Sequence, residues 1–378
     1  MTQLNYINKP LFEHGAIDQI STVLRSLDIS NPLICSDKGI VALGMIDKLR
    51  NLLSNEFTFS IFEDTPTNPT ETAVENAVNQ YKVEKNDGII GFGGGSSIDL
   101  AKAVAIKATH QEDLANYSFN EGGMEKIQAV APVIAIPTTS GTGSEVSSGA
   151  VIIMKDGRKL VLVSPQLIPK AAICDPDLTL GLPSILTAGA GMDALTHCIE
   201  AVLSPIVDPP AEAVGLDGIE RIFQDKNLIK AVKDGTNKKA RWNMMMAATE
   251  GAMAFTKGLG AVHSMSHACG ANQDLKLHHG TLNGVILPTI LRFNYGHVGK
   301  KYNRILLSMG FHKSQDLSEE IERLNQAIGL PKNLGEMGIT SDMIPELSQH
   351  SLNDLCTLTI PRTPDLKDYE RLFLEAIG

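Results

Sequence analysis

Short apolar runs alternate with helix-period stretches through the first half of this chain. Pro32–Cys35 (PLIC) and 58–62 (TFSIF) read as strands, because each is a brief β-rich run bounded by polar residues. Residues 88–92 (GIIGF) run straight into glycines, and 133–136 (VIAI) run into a Pro-Thr-Thr-Ser turn. Between these runs, 70–82 and 97–107 repeat apolar residues at three- and four-residue spacing, which predicts helices. Strands alternating with helices predict a mostly parallel sheet covered on both faces. Residues 150–154 and 160–163 flank the turn Asp156-Gly157-Arg158 and predict a further strand pair.

After about Pro183 the strand-like runs almost vanish and helical patterns continue to the C-terminus. The expected architecture is an α/β N-terminal dinucleotide-binding domain over 1–182 and an all-α C-terminal domain over 183–378. Gly181-Leu182-Pro183-Ser184 reads as the hinge, with Ser184 or Thr187 as the helix N-cap.

Composition changes this picture little. A chain of 378 residues with 43% hydrophobic and 20% charged residues is ordinary for a soluble two-domain protein. A net charge of -10 argues against a nucleic-acid partner, which would demand clustered Lys and Arg. No apolar run is long enough to span a membrane, and the N-terminus lacks the form of a secretory signal, so a cytoplasmic location is expected. Five scattered cysteines with no CxxC pair read as free thiols.

The candidate chemistry lies in three places. Gly93-Gly94-Gly95-Ser96 leaves a strand and opens a helix, with Asp99 one turn further on. Glycines admit backbone amides close to an anion, and a helix N-terminus favours negative charge, so a diphosphate suits this loop. It lacks the spacing of the usual GxGxxG fingerprint. A second small-residue loop, 137–145 (PTTSGTGSE), also follows a strand and offers hydroxyls at Thr138, Thr139 and Ser140. Two such loops at strand C-termini are where open α/β sheets bind nucleotides. Asp37 follows the first strand. It could accept from a ribose and repel a 2′-phosphate, favouring NAD over NADP, or it could simply cap a helix.

In the helical half, Asp193 and His197 stand four apart and share a helix face. His263 and His267 form an HxxxH, followed by His278-His279-Gly280. A carboxylate with three imidazoles suits a borderline divalent ion such as Fe²⁺ or Zn²⁺. Spacing alone leaves open which of the five histidines take part.

Taken together, GGGS 93–96 with Asp99 and Lys102, PTTSGTGSE 137–145, GMDALTH 191–197, GLGAVHSMSHACG 258–270 and HHG 278–280 resemble the iron-containing (group III) alcohol dehydrogenases. The resemblance spans nearly the whole chain in the family's order. It implies the dehydroquinate synthase-like fold, NAD, and hydride transfer between a small alcohol and nicotinamide in a homodimer or larger homo-oligomer. It further implies metal ligands at Asp193, His197, His263 and His279, with His278 as the alternative fourth ligand. His267 then lies near the substrate as a candidate proton relay, and Lys159 is implied as a nucleotide contact. Ile360 departs from the family's Asn before Pro-Arg, and Val146 to Gly149 also look particular to this chain, so the substrate is not carried over from a relative. Glycerol dehydrogenase, maleylacetate reductase and a dehydroquinate-synthase-type lyase are alternatives within the fold. A non-catalytic nucleotide- or metal-binding regulator is the alternative outside enzymes.

Overall fold

A computed structural model describes residues 8–272 and 274–378. Six strands form a parallel sheet in the order β1-β8-β5-β4-β2-β3. They are β1 (Leu11–Phe12), β2 (Pro32–Cys35), β3 (Ser60–Phe62), β4 (Gly88–Gly93), β5 (Val133–Pro137) and β8 (Ala171–Cys174). A separate antiparallel pair, β6 (Gly149–Ile153) and β7 (Lys159–Val163), stands where the Asp-Gly turn predicts it.

The middle strands are apolar at every position for a physical reason. Successive side chains point to opposite faces, and both faces are covered. Leu33, Cys35, Ile89 and Val133 enter one buried cluster. Their neighbours Ile34, Ile90 and Ile134 enter the other. The strand C-termini of β4 and β5 then lie side by side, with Gly93 paired to Pro137. Both small-residue loops therefore begin side by side at the C-terminal ends of the central strands.

The second unit is a helical bundle with its own core. At its centre runs the helix Ser184–Leu203, in which every residue from Thr187 to Leu203 is buried. A helix covered on all sides is the core of a bundle, so each polar residue in it needs a partner or a ligand. The expected N-cap is corrected here. Pro183 occupies that position, Ser184 is already helical, and Thr187 turns its hydroxyl to the Leu182 carbonyl. The fixed φ of proline suits a helix start, and the Arg241 guanidinium holds both Thr187 Oγ1 and the Leu182 carbonyl.

By compactness the chain divides into an α/β unit, 8–139 with 144–181, and a helical unit that takes 182–378 together with Ser140–Gly143. Gly141 and Gly143 allow that short insertion. A Cβ on Gly143 would meet Ala252 at 2.2 Å, and its φ of +60° is one that side chains disfavour.

Candidate functional site

Three helices converge on one carboxylate. Asp193 and His197 lie one turn apart on the helix Ser184–Leu203. His263 and His267 lie on Ala261–Gly270, and His279 opens His279–Asn294. The first and last of these helices touch through glycine: a Cβ on Gly280 would sit 2.2 Å from the Gly189 carbonyl. That close approach carries His279 to Asp193.

Asp193 Oδ1 lies 3.8 Å from His197 Nε2, 3.9 Å from His263 Nε2 and 3.6 Å from His279 Nε2. Donors bound tetrahedrally at about 2.1 Å from one ion stand roughly 3.4 Å apart, so this set fits a divalent cation with small adjustments. The Asn283 amide nitrogen supports the convergence of the lone pairs. It is 2.8 Å from Asp193 Oδ1 and 3.2 Å from Nε2 of both His263 and His279. Burial pushes His197 down to about 4, against the attraction of Asp193, so the ring is neutral near pH 7 with its lone pair available.

Two further acids back the imidazoles. Glu200 accepts from His263 Nδ1 at 2.6 Å, and Asp354 accepts from His267 Nδ1 at 2.9 Å. The His267 ring stacks on His279 with centroids 5.3 Å apart. None of Glu200, Asn283 and Asp354 was expected from the sequence. Glu200 and Asn283 carried a usable signal, since each lies three or four residues beyond a candidate ligand on the same buried helix. His278 makes a different contact. Its Nδ1 caps the helix by accepting from the Thr281 amide.

In the α/β unit, Gly93 ends β4 at φ +154°, Gly94 is the N-cap, and Gly95 starts the helix Gly95–Thr109. A Cβ on Gly93 would strike Ser97 Oγ at 2.5 Å and lie 3.4 Å from Asp37 Oδ2. Of the two readings the sequence allowed for Asp37, the helix cap is present. Its Oδ1 caps a short helix through the Gly39 and Ile40 amides, and its Oδ2 faces the glycine loop.

The Thr138 amide donates to the Gly93 carbonyl at 2.9 Å, tying the two loops together, and Thr139 lies beside Gly94. Ser96 Oγ donates to the Thr67 carbonyl. Asp99 holds Ser144 Oγ at 2.6 Å and the Val151 amide at 2.9 Å. Burial raises its carboxyl and nearby Lys102 opposes that rise. Lys102, pushed down to about 8 by burial, fastens the Ser147 and Gly149 carbonyls. Lys159 Nζ reaches Asn68 Oδ1 at 3.5 Å, and Ser140 groups with the helical unit. All five cysteines are free and buried.

One unit with a parallel sheet and paired small-residue loops, and another, a helical bundle holding a buried Asp and three imidazoles, together define a nucleotide- and metal-dependent oxidoreductase. Family models bear this out: iron-containing alcohol dehydrogenase matches residues 8–176, and its C-terminal domain matches 187–377. The chain belongs to the iron-containing alcohol dehydrogenase family and interconverts alcohols and aldehydes.

It is 42% identical to a 4-hydroxybutyrate dehydrogenase of Cupriavidus necator, over 100% of both chains. It is 31% identical to an NAD-dependent methanol dehydrogenase of Bacillus methanolicus, covering 96% of each. A solved 1,3-propanediol oxidoreductase superposes with a TM-score of 0.93 at 32% identity, over 99% of this chain and 100% of the other. Among the described residues no helix is long and apolar enough to cross a membrane.

Proposed function

We propose that the chain is an NAD-linked dehydrogenase of a short primary alcohol, with Asp193, His197, His263 and His279 as the ligands of one Fe²⁺, a place Zn²⁺ can also take. The observation that carries this reading is the single oxygen, Asp193 Oδ1, within 3.9 Å of three imidazole Nε2 atoms. When bound, the ion supplies Lewis-acid polarisation of the substrate oxygen.

The protein's own groups do the rest. Asp193 contributes the one negative charge of the set, and burial keeps His197 neutral for ligation. His267, its Nδ1 proton held by Asp354, presents Nε2 to take or give a proton. Gly93, Gly94, Gly95 and Ser96 cradle the NAD diphosphate at the helix N-terminus. Asp37 selects the ribose, and Thr138, Thr139, Ser140 and Lys159 contact the nucleotide. Asp99 acts through the loop by fixing Ser144 and Val151.

The 42% relative makes 4-hydroxybutyrate, an alcohol carrying a carboxylate three carbons away, the first substrate to test. Metal-stripped protein reloaded anaerobically with Fe²⁺ or Zn²⁺ is assayed for NADH and NADPH oxidation. The panel includes the semialdehyde of 4-hydroxybutyrate, 3-hydroxypropanal and unbranched aldehydes. Metal-dependent oxidation of NADH is expected, and metal-independent turnover or none at all overturns the reading. The family resemblance adds a cytoplasmic homodimer, which fractionation and light scattering check.

A further inference from the structure

Glu200 is buried, with 5% of its surface exposed, and lies on the same stripe of its helix as Asp193 and His197. It belongs to none of the proposed ligands, yet it accepts three hydrogen bonds. Oε2 takes His263 Nδ1 at 2.6 Å and the Gly260 amide at 3.0 Å, while Oε1 takes the Val262 amide at 2.8 Å. Gly260 is the N-cap of the helix that carries His263. One carboxylate thus anchors both the helix start and the ring, where negative charge is favoured.

A neutral imidazole has one N–H, and an ionised carboxylate only accepts. The 2.6 Å contact therefore puts the proton on Nδ1 and leaves the Nε2 lone pair toward Asp193. Gly260 serves this arrangement. Its φ of -142° is ordinary for any residue, but a Cβ there would lie 2.5 Å from Glu200 Oε1. A side chain at 260 would evict the carboxylate.

We infer that Glu200 is a positioning residue: it fixes the tautomer and orientation of His263 and thereby sets how tightly the site holds its divalent ion. This rests on the ligand assignment proposed above.

The test is Co²⁺ binding to the full, metal-stripped chain, measured by competition with a chelating indicator. Glu200→Gln cannot satisfy all three donors, because its amide NH₂ must face an N–H. Its affinity is expected to fall roughly 10–100-fold, the usual cost of losing such an outer partner, with NAD⁺ affinity unchanged. Gly260→Ala displaces the carboxylate without altering it and should weaken Co²⁺ in the same direction. Glu200→Asp keeps the charge and should recover part of the loss. In Zn²⁺-loaded, ¹⁵N-histidine-labelled wild type, His263 should show a low-field, slowly exchanging Nδ1 proton. The absence of that proton would count against the inference even if a variant fails to fold.

Co²⁺ binding within twofold of wild type in both Glu200→Gln and Gly260→Ala, or absence of the Nδ1 proton, overturns the inference. Asp193→Ala and His197→Ala, run alongside, separate the two claims. If these also keep Co²⁺, the ligand assignment fails. If they lose it while the Glu200 and Gly260 variants do not, only the positioning role falls.

Discussion

His278 and His279 are adjacent in the chain yet serve different partners. His279 Nε2 stands 3.6 Å from Asp193 Oδ1, whereas His278 Nδ1 accepts from the Thr281 amide at 3.3 Å as the cap of the same helix. Replacing each by alanine should therefore have separable effects. His279→Ala is expected to weaken divalent-metal binding at least about 100-fold, since it removes a direct ligand whose loss exceeds that of an outer partner. His278→Ala should keep the metal within a few-fold and lower stability by about 1 kcal/mol, the usual cost of a lost cap. Metal content after dialysis, beside thermal melts, decides it. The opposite pattern would transfer the fourth ligand to His278.

The His267–Asp354 pair predicts a loss of turnover without a loss of metal. In Asp354→Asn the amide can still accept from the Cys356 amide, but it offers an NH₂ to His267 Nδ1 and so favours the wrong tautomer. Turnover should drop by roughly 10²–10⁴, the span typical of a disabled general acid–base group, while metal content holds. Burial acts to raise Asp354, and the His267 imidazole with the Cys356 amide outweighs it, holding the carboxyl at about 2. A folded value below the unfolded 3.8 stabilises the protein above pH 4, by about 2 kcal/mol, and that contribution is lost between pH 4 and 2. The stability gap between wild type and variant should close over that interval in acid unfolding. A gap independent of pH would show that the pairing does not persist in solution.

Much of this was legible beforehand, for reasons that also explain the omissions. The middle strands were visible because two-sided burial leaves an uninterrupted apolar run, and Asp193 with His197 because a shared helix face has a fixed spacing. Strands β1 and β8 were not expected. β1 has two residues, and its partner lies about 160 positions away, joined by the pairs Leu11–Ile173 and Phe12–Cys174. Glu200 and Asn283 were readable in principle as polar residues inside buried helices. Asp354 carried no local signal, since it meets His267 across 87 positions. The capping of the 184–203 helix went to Pro183, because tertiary bonds from Arg241 to Thr187 and Leu182 fix that start instead of a side-chain cap.

Asp37 predicts the cofactor preference. Its Oδ1 is committed to the Gly39 and Ile40 amides, while Oδ2 faces Gly93. Asp37→Ser retains a capping oxygen but removes the charge that would repel a 2′-phosphate. NADPH should gain at least about tenfold in kcat/KM relative to NADH, a differential of roughly 1.4 kcal/mol. Thermal stability should stay within about 1 kcal/mol of wild type. Steady-state kinetics with both cofactors measures it, and an unchanged ratio would assign Asp37 to capping alone.

Glu250 is 8% exposed and contacts Arg221 Nε at 2.9 Å, which also reaches Asp217 at 2.8 Å. Burial is the main cause that lifts Glu250 to about 8. A hydrogen bond with Asp217 adds to it, and Arg221 opposes it. The folded value lies above the unfolded 4.5, so between pH 4.5 and 8 the native state keeps a proton that the unfolded chain releases. Stability therefore falls as pH rises through that window and is flat on either side. Glu250→Gln is nearly isosteric and cannot ionise, so it should match wild type at pH 5 and exceed it at pH 9, by an amount on the order of a few kcal/mol. Denaturant unfolding at the two pH values tests this. A difference that fails to widen with pH would mean that Arg221 holds Glu250 ionised throughout, and the cluster would then be an ordinary buried ion pair.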